Sequence, residues 1–383
     1  MSRLFEYEGL SLFRRFGIPV PRFEVATNVD DVVTACERIG FPAFLKAQVL
    51  VGSRGRAGGV VQVSESEGAR KAAERMFKGT IGGEETSKVM VCQSVKANRE
   101  LYLSVTVGRS EAAPVLLASC FGGTGVEDAA LRKPGVLAKE VIDPWTGLSP
   151  AQCSRISGIL QLPEDARLSF ASICLDLYSL MCGVDADLVE VNPLVLTPDS
   201  HLIALDSKIV LNDDALFRHP EFAETRGRHL AFGSELERLA WQKGVQLVDS
   251  GGDIGIVGNG AGLTMATMDL VKLSGRRPAD FLDIGGGASA EQFERSLSVL
   301  LDYARVKLVL VNVFGGITRC DEIAEGIKRA LSKRASRKKV LVRLVGTNEA
   351  LGKDIISSIE GADIEYFSSA DDAARRAAQL VTT

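Results

Sequence analysis

From about residue 252 to the C-terminus the chain repeats a single pattern: a short apolar run, a turn, then a stretch of helical periodicity. IGIV is followed by a helix from Leu263, FLDI by one over Ala290 to Leu301, and KLVLVNV by one over Asp321 to Leu331; KVLVRLV precedes Glu349 to Ile359, and IEYF precedes Ala370 to Leu380. Strands alternating with helices in this way pair in parallel, because parallel neighbours need a crossover connection and the helix supplies it. The pattern therefore predicts an open, doubly wound parallel sheet. Ligands of such sheets lie at the carboxyl ends of the strands, where three successive loops, GNGAG, GGGAS and FGGITR, are rich in glycine. Backbone amides at a helix N-terminus favour anions. GNGAG carries Leu263 where the dinucleotide fingerprint needs glycine, which argues against NAD, and three such loops in succession point to one common cleft.

Before about residue 240 the pattern is mixed. A helix over Leu4 to Phe16 leads through GIPVPRF to a helix over Asp30 to Ile39, the strand FPAFLKAQV, a glycine-rich loop and a helix over Ser66 to Phe77. KVMVCQSV, ELYLSVTVG and APVLLASC read as antiparallel strands, a helical stretch runs from about Pro150 to Leu180, and DLVEVNPLVL and HLIALDSKIV flank TPDS as a hairpin. The length of 383 residues suits two or three domains, and the change of pattern divides the chain into two, 1–240 and 241–383. The net charge of −4 gives no general reason to expect nucleic-acid or membrane-surface binding, so an anion site must be built locally. The absence of a long apolar stretch excludes a membrane-spanning helix, and the N-terminus lacks the apolar core of a signal peptide. Seven scattered cysteines without a CxxC pair fit a reducing cytoplasm and no zinc site.

Lys46 stands on the first strong strand, and the loop after it contains Gly52, Ser53, Arg54, Gly55, Arg56, Gly58 and Gly59. Glycines let backbone amides approach phosphate oxygens and the cations supply charge, a combination that suits a nucleotide triphosphate; the alternative is a mobile basic surface loop. No Walker motif occurs. Glu190 and Asn192 fall on one face of DLVEVNPLVL, and Asp206 stands in LIALDSKI. A carboxylate and an amide among apolar neighbours suit Mg²⁺, with nucleotide phosphates and water as its other ligands. A salt bridge to Lys208 or an arginine is the competing account. Of three histidines, His201, His219 and His229, none has the setting of a phosphoryl acceptor, and Cys320 has no histidine near it in sequence. A covalent phosphoenzyme would need a nucleophile from another chain.

These segments resemble the family of beta subunits of ADP-forming succinate–CoA ligases, or succinyl-CoA synthetases, and related acyl-CoA ligases. FLKAQVLVGSRGRAGGV, RELYLSV, LVEVNPLVL, LIALDSKI, DDALFRHPEF, GNGAGLTMATMDLVKLSG, FLDIGGGAS and LVNVFGGITRCDEIAEGI carry the resemblance in order, from about residue 5 to the C-terminus. It implies an α/β protein with an N-terminal ATP-grasp fold and a C-terminal flavodoxin-like CoA-ligase domain. It also implies Mg·ATP as phosphoryl donor, a histidine on a partner alpha subunit as first acceptor, a small carboxylic acid, succinate foremost, as second, and CoA as the final nucleophile. The partner would carry the CoA site in a cytoplasmic heterodimer or heterotetramer. By residue, the resemblance assigns Lys46, Ser53, Arg54, Gly55, Cys92 and Glu100 to the nucleotide and Asn192 with Asp206 to magnesium. Glu190 would lie against the phosphohistidine, and Asn259 with Gly316, Ile317 and Thr318 would hold the acid.

Cys92 replaces a glutamate common beside the adenine, Phe121 an acidic residue of the S-x-E-G-G segment, and Val345 a position often held by glutamate or a small residue. Another dicarboxylate or a sulfonated carboxylate is the alternative acid. An ATP-grasp carboxylate-amine ligase would share Lys46, Glu190 and Asp206 but leaves five strand-helix units unexplained. A non-catalytic nucleotide sensor would leave the metal pair without a role.

Overall fold

A computed structural model describes residues 2–51, 54–123, 137–225, 227–228, 233–332 and 338–381. The chain forms two compact units, 1–229 and 230–383.

Besides the short hairpin of Thr80–Ile81 with Glu84–Glu85, the described residues of the first unit form two larger antiparallel sheets. In the smaller, strands run in the order Phe23–Ala26, Val89–Gln93, Ala43–Ala47, Val60–Val63. Helices Val29–Ile39 and Ser66–Lys78 cover one face, where Val32, Ala35, Ala73 and Met76 pack on Leu45 and Val91. Asn28 caps the first of these helices by accepting from the Asp31 amide. Strand side chains alternate, so Met90 and Cys92 face the other way and join the core of the larger sheet. That sheet runs Ser2–Arg3, Lys208–Leu211, Ala186–Leu196, Arg99–Gly108, Ala113–Ser119, Leu137–Val141. Helices Glu6–Arg15, Pro150–Ile159 and Glu164–Gly183 bury Phe13, Ile156, Phe170 and Leu177 in its core.

The hairpin around TPDS forms, with Leu196 opposite Leu202. HLIALDSKIV is not one strand, however. It breaks into Leu202–Ala204 and Lys208–Leu211, which pair with opposite ends of Ala186–Leu196, and Leu205 to Ser207 lie in the gap. The partner strand is irregular between Val191 and Leu194 on its other edge, where Pro193 has no amide to donate.

In the second unit, Ile254–Gly258, Leu308–Gly315, Lys339–Gly346 and Ile364–Tyr366 pair in parallel in that order. Helices Ala261–Leu273 and Ala370–Leu380 cover one face, packing Val271, Ala373 and Ala377 on Ile256, Leu310 and Leu341. Glu235–Gln242, Ala290–Asp302 and Cys320–Ser332 cover the other, around Val309, Val311, Val342, Phe293 and Ile327. FLDI departs from expectation. Only Asp280–Phe281 is strand, paired antiparallel with Val248–Asp249, and single parallel bridges at Pro278 and Asp283 tie the segment to Ile254–Gly258. With those bridges the spatial order of the five segments is second, first, third, fourth, fifth, the flavodoxin-like order, whose reversal point lies between the first and third. Among the described residues no helix is long and apolar enough to cross a membrane.

Candidate functional site

Alternation along Ala43–Ala47 buries Leu45 under the helices and turns Lys46 to the opposite face. There its Nζ donates to Glu6 Oε1 at 2.7 Å and to the Leu205 carbonyl at 2.7 Å. Arg54, in the glycine-rich loop, pairs through Nη2 with Glu6 Oε2. The same nitrogen donates to both Asp206 oxygens at 3.1 Å, and Nη1 reaches the Ala47 carbonyl at 3.3 Å. Two cations and two carboxylates from four separate segments thus meet at one point. Glu6 is only 4% exposed and Lys46 9%, burial that a lone charge could not sustain without losing several kcal/mol.

The electrostatics follow from that convergence. Burial opposes the charge of Glu6, but Arg54 and then Lys46 outweigh it and hold the carboxyl below its ordinary range. Burial likewise opposes the Lys46 ammonium and is outweighed by Glu6 and Asp206, so its pKa is raised. For Asp206 the balance tips the other way: burial, then repulsion from Glu6, push it up to about 6 against the pull of Arg54 and Lys46. The loop itself turns tightly, with Gly59 donating to the Arg54 carbonyl at 2.8 Å, and no atom lies within 4 Å of the place a Gly55 side chain would occupy. Ser53 and Gly52 lie outside the described residues.

Around this cluster the other expected groups are distributed as follows. Asn192 Oδ1 accepts from the Gly123 amide at 2.6 Å, and Nδ2 donates to the Gly123 carbonyl at 3.1 Å. Glu100 is exposed, with its Oε2 3.0 Å from where a side chain on Gly123 would begin. Glu190 stands opposite Lys208 and Ser104; the Tyr102 hydroxyl donates to its Oε2 at 3.4 Å and Lys208 Nζ lies 3.7 Å away. Cys92 is buried, and burial pushes its thiol up to about 11. The Gly122 backbone runs tight against the sheet: a side chain there would meet the Leu101 carbonyl at 2.7 Å. His219 is satisfied by Asp185 at 2.7 Å and His201 is exposed beside Asp199, while His229 lies outside the described residues.

Asp206 and Asn192 offer a carboxylate and an amide oxygen, the donor chemistry of Mg²⁺. Asp206 Oδ1 already accepts from both Arg54 and Ser207, whereas Asp206 Oδ2, which accepts from Arg54, and Asn192 Oδ1, which accepts from Gly123, have further lone-pair capacity. Among the described residues no group of three or more His, Cys, Asp or Glu could hold a metal.

In the second unit the carboxyl-end loops are stitched together. Asn259 takes both polar groups of the Phe314 backbone, donating to its carbonyl and accepting from its amide at 2.8 Å each. Asp283 accepts from the Gly260 and Gly285 amides at 2.6 and 2.8 Å. Thr318, 2% exposed, accepts from the Gly287 amide at 2.9 Å, and Thr347 donates to the Gly316 carbonyl at 2.9 Å. Of the residues expected to hold the acid, Asn259 and Thr318 therefore spend their side chains on the loops themselves, whereas Gly316 is exposed and Ile317 is 89% exposed.

The ATP-grasp domain family matches residues 3–196 and the CoA-ligase family residues 257–380. The chain is 42% identical over 378 residues to the succinate–CoA ligase (ADP-forming) subunit beta of Staphylothermus marinus, covering 99% of this chain and 98% of that one. It is 43% identical over 380 residues to the protein of that name from Desulfurococcus amylolyticus, with 99% of each covered. The chain belongs to the family of ADP-forming succinate–CoA ligase beta subunits. Its first unit is accordingly an ATP-grasp domain, its second a CoA-ligase domain, and its class that of an acid–CoA ligase. A relative from Halorubrum lacusprofundi is 41% identical, covering 98% of this chain and 97% of that one. Among solved structures, ATP citrate lyase from Methanothrix soehngenii, in complex with citrate and coenzyme A, shares the fold with a TM-score of 0.72 at 16% identity, over 99% of both chains.

In this ligase subunit the structure brings Lys46, Arg54 and Asp206 together and holds Asn192 against Gly123. Sequence reasoning missed Glu6, Gly123 and Asp283. Glu6 did carry a signal, since it lies on the same helical face as the buried Gly9, Leu10 and Phe13, and a carboxylate on an apolar stripe needs a buried partner. Asp283, two residues ahead of the first of three glycines at a strand end, is placed to accept that glycine's amide.

Proposed function

We propose that this chain is the nucleotide-binding subunit of a ligase that uses Mg·ATP to join a small carboxylic acid, succinate foremost, to CoA. The observation that carries this reading is the convergence of Lys46, Arg54 and Asp206 in the first unit of a chain whose second unit is a CoA-ligase domain. Lys46, Arg54 and the backbone at Ser53 and Gly55 bind the phosphates, with Cys92 and Glu100 toward the nucleoside. Asp206 and Asn192 would hold Mg²⁺, which would supply positive charge to neutralise the nucleotide phosphates.

Among the described residues His201 and His219 have the settings of a surface and a satisfied histidine, so the phosphoryl acceptor comes from a partner alpha subunit, in a heterodimer or heterotetramer in the cytoplasm. An imidazole nitrogen of that partner attacks the γ-phosphorus and ADP leaves. Glu190 accepts the N–H of the other ring nitrogen, fixing the tautomer and aiming the attacking lone pair. The substrate carboxylate then takes the phosphoryl group from nitrogen, and the CoA thiolate attacks the acyl phosphate at carbon, expelling phosphate. Asn259 and the Gly316-Ile317-Thr318 loop hold the acid, the side chains of Asn259 and Thr318 by fixing the loops and the exposed backbone of Gly316 and Ile317 by contact.

The test is to produce the chain with a CoA-binding partner, follow ADP release with a panel of acids, and label the partner with γ-³²P-ATP. Glu190→Gln should keep ATP binding and subunit association but slow labelling by a factor on the order of 10²–10⁴. Acyl-CoA formation by the single chain, or labelling of the partner at the parental rate, would overturn the mechanism.

A further inference from the structure

Lys46 and Arg54 reach the same place from different elements, one from a strand and one from a glycine-rich loop, and both carry positive charge into a buried region. Like charges so placed repel and drift apart unless an anion lies between them. The Glu6 carboxylate lies there and divides its oxygens, Oε1 to Lys46 and Oε2 to Arg54, with Gln48 Nε2 at 3.4 Å from Oε2. Its own backbone is pinned. The Glu6 carbonyl accepts from Ser207 Oγ at 2.9 Å, Leu4 donates to the Ile209 carbonyl at 3.1 Å, and Tyr7 donates to Gln48 Oε1 at 3.1 Å. A side chain at Gly9 would come within 2.3 Å of Ser207 Oγ, so the helix carrying Glu6 sits hard against the Asp206–Ser207 corner. Glu6 is therefore a fixed anion whose position is set by one sheet of the unit and whose charge is spent on cations of the other.

We infer that Glu6 is a positioning residue of the nucleotide site, holding Lys46 and Arg54 side by side so that both face one phosphate group. The inference rests on the reading of Lys46 and Arg54 as phosphate-binding groups. Neither cation depends on Glu6 for a partner of some kind, since Lys46 keeps the Leu205 carbonyl and Arg54 keeps Asp206. What Glu6 alone supplies is their common anchor. Its loss lets Lys46 settle on Leu205 and Arg54 on Asp206, the carboxylate that a magnesium ion would need. Glu6→Gln retains one acceptor for one cation and presents an amide N–H₂ to the other. Glu6→Asp retains the charge on a shorter arm.

The test is a calorimetric titration of ADP, and separately of CoA, into the complex of this chain with its partner subunit. Glu6→Gln should weaken ADP by about 10- to 100-fold, the scale of one hydrogen bond to a charged group, and leave CoA affinity within twofold. Glu6→Asp should recover part of the ADP affinity, and it carries the test if Glu6→Gln does not fold. Parental ADP affinity in Glu6→Gln, or equal losses for ADP and CoA in either variant, would overturn the assignment. A parental complex that binds no ADP would instead overturn the nucleotide-site reading beneath it.

Discussion

Replacing Asp280 by asparagine should stabilise the second unit, and increasingly so as the pH rises. Asp280 is fully buried; its Oδ1 accepts from the Ile256 amide at 3.0 Å, and Oδ2 has no hydrogen-bond partner among the described residues. Burial, reinforced by Asp249, pushes its carboxyl well above the usual range. Because the folded value is raised, the contribution of Asp280 to stability is complete below the unfolded value of about 4 and is lost progressively above it, where the unfolded chain releases a proton that the folded chain retains. The loss amounts to about 1.4 kcal/mol per pH unit for as long as the folded carboxyl stays protonated. Asparagine keeps the acceptor for Ile256 and does not ionise, so the advantage of the variant over the parent should widen at that rate. For a unit of this size the corresponding shift in melting temperature is about 3–6 °C per pH unit. Guanidinium melts at several pH values, followed by the fluorescence of Trp241 in the same unit, measure the difference; Trp145, 95% exposed, should change little on unfolding. A stability difference that is constant from pH 5 to pH 8 would mean that Asp280 is ionised in the folded protein, and the reasoning would fail.

Thr318→Val removes the acceptor of the Gly287 amide from a buried position and should cost about 1–3 kcal/mol in denaturant melts. If its loop faces the acid, the ranking of acids by kcat/KM should change more than the affinity for ATP; an equal loss for every acid would indicate a purely structural role. Gly346→Ala should be more damaging, about 3 kcal/mol or more, because φ is +113° there and a side chain would meet the Gly315 carbonyl oxygen at 2.1 Å. Thermal melts of that variant check the cost, and a change below about 1 kcal/mol would show that the two strand ends separate freely.

The parallel unit was legible because burial on both faces writes itself into sequence as continuous apolar runs such as KLVLVNV, separated by helical periodicity. FLDI failed to become a regular strand for a reason invisible in its pattern: the Ile256 amide goes to the Asp280 side chain, so a carboxylate replaces a rung of the ladder. In the first unit Lys46, Arg54 and Asp206 stood out as charges among apolar neighbours or glycines, and their meeting required no more than buried charges finding partners. Glu6 carried a signal on the apolar face of the first helix, but its partners Lys46 and Arg54 stand on segments distant in sequence, so the pairing emerges only when the fold brings them together. The salt bridge between Glu190 and Lys208, weighed as a competitor to a functional role, is present at 3.7 Å, beside the hydrogen bond from Tyr102.

The gap between Leu202–Ala204 and Lys208–Leu211 bears on which length changes this sheet can tolerate. Both strands pair with Ala186–Leu196, so the three residues between them span a fixed interval on a shared template. Side chains on strands alternate with a period of two, and adding or removing one residue inside the interval would slide one of the strands and turn its side chains to the opposite face. It would also carry the Leu205 carbonyl away from Lys46 and Asp206 away from Arg54, dismantling the charge cluster with no change in composition. Insertions compatible with the sheet are therefore confined to the turn ahead of both pairings, where Thr197 and His201 close the hairpin at 2.9 Å. Natural variation in length among relatives should accumulate there and be absent from the interval around Asp206.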